Sequence, residues 1–187
     1  KSYTSKSFFS RKAWTMRTIE EFAKQWPQDQ GVALFDILRA KWNEVPGGLS
    51  DRVLTDDVLA LSDRELRDFW QGVLAETTTG PGFAVRGWYH AFYSDIFRGR
   101  RVLEIGSGMG IDGIHFNREG AIWHFTDIAP SNLSLIRRTL VAFNLHCEGM
   151  TLIESLASLD TIREGFDFIY CQGSLIHVPF AFARVES

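Results

Sequence analysis

The residues best suited to chemistry stand in one short run, Glu104-Ile105-Gly106-Ser107-Gly108-Met109-Gly110. Val102, Leu103 and Ile105 lead into it as a strand would, and Ile111 to Arg118 follows as a helix. Glycine at 106, 108 and 110 lets the backbone turn tightly and meet a ligand with no Cβ between them. The turn also leaves the first amides of a helix pointing outward, where they can hold a carboxylate or another anion. Asp127 closes the next apolar segment at about 20 residues beyond the first glycine, the offset of an acid that accepts hydrogen bonds from both hydroxyls of a ribose. The competing readings are close helix-strand packing for the glycines and a turn or N-cap ahead of Pro130 for Asp127.

Spacing separates the ligand classes. A dinucleotide loop reads G-x-G-x-x-G, whereas here the third glycine comes one residue early and Ile111 stands where that motif requires glycine. A phosphate-binding P-loop is excluded, because no Gly-Lys-Ser or Gly-Lys-Thr follows. Glu104 completes E-x-G-x-G-x-G, which resembles motif I of class I S-adenosylmethionine (SAM)-dependent methyltransferases, and the likeness runs from about Tyr89 to Pro179. The resemblance implies SAM as cofactor, with Gly106, Ser107, Gly108 and Gly110 shaping the pocket for its methionine end. Glu104 would orient the amino group, Asp127 with Ile128 would hold the ribose, and Glu154 or Ser155 would lie near the adenine. Gln172 and Gly173, after the fourth strand, would line the methyl-bearing side. His177 is the candidate base for an oxygen nucleophile, since imidazole titrates near pH ~6.5, and its rival reading is a structural residue. Trp88 and Tyr89 are the candidates for covering the substrate.

The acceptor follows from what is absent. The Asn-or-Asp-Pro-Pro-aromatic segment of enzymes that methylate nucleobase amines is replaced here by Cys171-Gln172-Gly173-Ser174. A net charge of −3 supplies no footprint for a polyanion, so nucleic acid is disfavoured as a partner and a small-molecule acceptor is expected, with oxygen slightly preferred. A non-catalytic SAM-binding module, regulatory or interacting, is the second reading, and an NAD- or FAD-dependent oxidoreductase the third.

Short apolar runs at Arg101 to Ile105, Ala121 to Phe125, Met150 to Ile153 and Phe166 to Tyr170 alternate with helical stretches at Ile111 to Arg118 and Ser131 to Phe143 and a short turn near Leu159 to Arg163. That alternation predicts a three-layer, Rossmann-like α/β fold with parallel central strands over 81–187. A helical N-terminal cap precedes it over 1–80. Thr18 and Glu21 stand in capping-box spacing, as do Ser62 and Glu65, the latter pair flanked by Leu61 and Leu66 as a hydrophobic staple. Leu66, Phe69, Trp70, Val73 and Leu74 form an apolar helical stripe, read as core. A linker is expected at Thr77 to Gly82, then a helix from Val85 to Phe97.

The 187 residues are 45% hydrophobic and 23% charged, the balance of a globular chain. Two cysteines without metal-ligand spacing, no secretory segment and no apolar run of about 20 residues point to a cytoplasmic protein with no metal and no membrane contact. The family's sheet has seven strands and only four are legible, so the C-terminal strands are expected to be missing, the chain being a fragment or completed by another polypeptide. An open parallel edge predicts a homo-oligomer or a completing chain.

Overall fold

The computed structural model describes residues 36–42, 53–162 and 165–174. Strands β1 (Arg101–Ile105), β2 (Ile122–Asp127), β3 (Gly149–Leu152) and β4 (Phe168–Tyr170) form a parallel sheet in the order β3-β2-β1-β4. Helices α1 (Thr55–Leu59), α2 (Asp63–Thr78), α3 (Trp88–Phe97), α4 (Ile111–Arg118) and α5 (Pro130–Ala142) surround it, with a further helical stretch over 36–42. This all-parallel α/β arrangement is compatible with a Rossmann-like fold. The expected ends of β1 and α4 match the observed ones; β2 starts one residue later and runs on to Asp127, which places the acid in the strand itself. The Thr18 and Glu21 cap and His177 lie outside the described residues.

Alternation along the strands puts Val102, Glu104, Trp123, Phe125 and Asp127 on the face that α4 and α5 cover. Trp70 of α2 and Tyr89 and Phe97 of α3 enter that same core, beside Val102, Trp123 and Phe125. A second cluster joins Val58, Leu66 and Val73 of α1 and α2 to Met109, Ile111 and Leu135. Residues on both sides of position 80 therefore share their cores.

The α2 N-terminus forms as its sequence predicts: Ser62 Oγ accepts from the Glu65 amide, and the Glu65 carboxylate accepts from the Ser62 amide. At the other end α2 runs through Thr77 and Thr78, residues expected to open a linker. Their hydroxyls, with that of Thr79, donate to the carbonyls of Val73, Leu74 and Ala75, so the threonines satisfy the helix end. After a turn at Gly80 comes one π-helical turn, Phe83–Gly87, where a uniform helix from Val85 was expected, and α3 follows directly. No helix among the described residues is long and apolar enough to cross a membrane.

Candidate functional site

The bend between β1 and α4 is built by three left-handed glycines, with φ of 74° at Gly106, 55° at Gly108 and 75° at Gly110. Gly106 is required twice over, because a Cβ there would lie 2.3 Å from the Cβ of Ser174. The segment after β4 thus rests on the bend, and the Ser174 hydroxyl donates to the carbonyl of Ile105. Gly113, in the first turn of α4, has no place in the sequence reading. A Cβ there would lie 2.4 Å from Phe125 and Trp123 and 2.5 Å from Glu104, so this glycine lets α4 settle onto the sheet, the packing duty of a third glycine.

Asp127 and the bend meet. One carboxylate oxygen of Asp127 accepts from the Gly108 amide at 2.7 Å; the other accepts from the Ala129 amide at 2.8 Å and from Asn132 Nδ2 at 3.2 Å. The acid is 4% exposed, and burial raises its pKa against the pull of those bonds. It serves as the turn residue ahead of Pro130 and as the tie to the glycine loop at once. Ile128 offers its carbonyl to Arg39 Nε at 3.0 Å, which brings the 36–42 stretch to the strand tips.

Glu104 lies beneath the bend, 4% exposed, accepting from the Trp123 indole at 2.8 Å and bonded to the Ser107 side chain. Burial first, and then the nearby Asp112 carboxylate, push its pKa up to about 8 against those two hydrogen bonds. Its carboxyl group faces α4 and the core. Ser107 Oγ in turn accepts from the Thr126 amide, locking the bend to β2.

The remaining expected residues divide. Glu154 and Ser155 are both exposed, and their amides donate to Ser158 Oγ, so both cap the 3-10 turn Leu156–Thr161. The preceding amide, of Ile153, donates to the Asp127 carbonyl and holds the β3 exit against the acid's own strand. Gln172 and Gly173 are exposed beside the bend-contacting Ser174, Gly173 at φ 75°. Trp88 and Tyr89 stack edge to face but part company in exposure, Trp88 at 50% and Tyr89 at 5%.

A polar cluster absent from the sequence reading lies behind the bend. Asp112, in the first turn of α4, accepts from His90 Nε2 at 2.6 Å and from the Tyr170 hydroxyl at 3.0 Å, with Arg86 Nε at 3.5 Å. These partners come from the π turn, α3 and β4, and the one local signal was an acid at the start of an otherwise apolar buried helix. His115 stacks on the His90 ring at 4.3 Å, and burial together with His90 lowers its pKa to about 4. A cavity of about 360 Å³ opens on the far side of these rings, between α2, α3 and α4, lined by Leu74, Phe83, Ala91, Ser94 and His115 among others.

Comparison with protein-family models and with curated proteins finds no match for this chain.

Proposed function

We propose that this chain binds SAM at the glycine bend and transfers its methyl group to a small molecule, with oxygen the preferred nucleophile. The observation that carries this reading is the meeting of the Gly108 amide and the Asp127 carboxylate at 2.7 Å, at the tips of adjacent parallel strands. A pyrophosphate would need that amide as a donor, and here Asp127 already takes it; a ribose would bring donors to the same carboxylate.

SAM supplies a methyl on a sulfonium, already electrophilic, so the protein's task is to bind, orient and exclude water. The bend would lie against the amino-acid end and Asp127 would hold the ribose hydroxyls, while Glu104, expected to orient the amino group, faces the core beneath the bend. Gln172 and Gly173 stand where the post-β4 segment reaches the bend, the place for the acceptor, and His177 remains the candidate base.

A non-catalytic module that binds SAM is the second reading. It is favoured by the apolar exposure of Trp88, Phe92 and Ile169, the last on edge strand β4, a surface suited to a partner.

Thermal unfolding with and without ligand tests the proposal, because a ligand at a hundredfold its Kd raises folded-state stability by about 2.7 kcal/mol. SAM and S-adenosylhomocysteine should shift the midpoint, NAD should not, and Asp127→Ala should remove the shift. A shift with NAD alone, or a SAM shift that survives Asp127→Ala, overturns the site. Transfer of labelled methyl across an acceptor panel separates the enzyme from the module.

A further inference from the structure

The Asp127 carboxylate is held by the backbone amides of Gly108, Ala129 and Ile128 and by the side-chain amide of Asn132. Among these donors Asn132 alone is a side chain, so its bond is the one a substitution can remove while the backbone stays in place. Asn132 stands in the first turn of α5 and is buried. Its Nδ2 donates at 3.2 Å to the Asp127 oxygen that also accepts from the Ala129 amide. Its own Oδ1 is buried and has no hydrogen-bond partner among the described residues. An acceptor left unsatisfied in the interior costs stability, so the fold itself gains little from this amide. Turning the amide over would bring its oxygen against the carboxylate, so the acid fixes which end faces it.

The other oxygen of the same carboxylate lies 2.7 Å from the Gly108 amide. With its first oxygen pinned by Ala129 and Asn132, the plane of the group is set and its second oxygen is directed at the bend. We propose that Asn132 is a positioning residue, which holds the Asp127 carboxylate on the glycine bend and, through it, the ribose of the ligand. Without Asn132 the carboxylate stays at the end of β2 but turns more freely about its last side-chain bond, and the contact with Gly108 loosens. The ligand half of this inference rests on the SAM reading above. The link from Asn132 through Asp127 to Gly108 belongs to the protein alone and is measurable without a ligand.

Two variants test it: Asn132→Leu keeps the volume, and Asn132→Asp keeps the shape should the leucine variant fail to fold. In the unliganded protein, the amide proton of Gly108 moves upfield in the NMR spectrum of either variant and exchanges with solvent about tenfold faster, whereas the amides of Ile136 and Leu140, farther along α5, keep their shifts. Calorimetry then compares S-adenosylhomocysteine with its 2′,3′-dideoxy counterpart, which differs only in the two ribose hydroxyls. Each variant lowers the affinity for S-adenosylhomocysteine by about tenfold and leaves the dideoxy ligand within about twofold of its wild-type value. A Gly108 amide that does not respond overturns the proposal, as does an equal loss for both ligands, which would make Asn132 a structural residue of α5. A Gly108 response in a protein whose wild type binds neither ligand overturns the SAM reading and leaves the Asn132 link standing.

Discussion

A carboxyl group sealed between a helix and a sheet titrates differently from one in water, and Glu104 makes the difference measurable. The folded protein keeps its proton up to about pH 8, whereas the unfolded chain releases it near the ordinary value of 4.5. As pH rises through that window the unfolded state gains from ionisation and the folded state does not, so this residue's stabilising effect, complete below 4.5, is lost by about pH 8. Glu104→Gln should therefore gain stability relative to the parent between pH 5 and 8, by an amount that grows with pH; parallel denaturation midpoints across that range would refute the burial argument. The motif's spacing marks Glu104 as a residue of the site, but not which face of β1 a helix would cover, and hence not that its carboxyl group turns inward. The turn duty of Asp127 before Pro130 was legible from its neighbours, whereas its bond to the Gly108 amide was not, because strand-end spacing does not say which way the carboxylate turns.

Elements whose causes are local were the most readable. The Ser62 cap, the helix following Gly110 and the strands on either side are set by neighbours within a few residues. Ser62→Ala should cost about 1 kcal/mol and lower the thermal midpoint, since it removes the hydroxyl that accepts from the Glu65 amide and leaves only the backbone arm of the capping box. Gly113→Ala should cost more, because its methyl would press on two core rings and a buried acid, and α4 would have to lift; a stability within about 0.5 kcal/mol of the parent would show that α4 packs otherwise. The π turn and the Arg86, His90, Asp112 and Tyr170 cluster were not legible. Their partners lie 22 and 58 residues apart in the chain, and no spacing rule links an acid at a helix start to a phenol at the end of a strand so distant.

At the scale of the molecule, the helices before position 80 and the sheet after it hold one another's apolar side chains. Trp70 of α2, 1% exposed, packs in the cluster that holds Val102 and Trp123. Trp70→Ala should cost about 3–5 kcal/mol and lower the stability of cap and sheet together, so signals from helix and from the Trp123 environment should disappear together at one lowered midpoint. Two separated transitions would instead indicate units that fold alone. The order of strands has a consequence in time as well as in space. Gly108 and Asp127 are 19 residues apart, whereas Arg101 and Asp167, which bond where β1 and β4 begin, are 66 apart. A chain emerging from the ribosome can thus close the contact between the glycine bend and Asp127 while the opposite wall is still being translated, and loop closure favours that sequence of events.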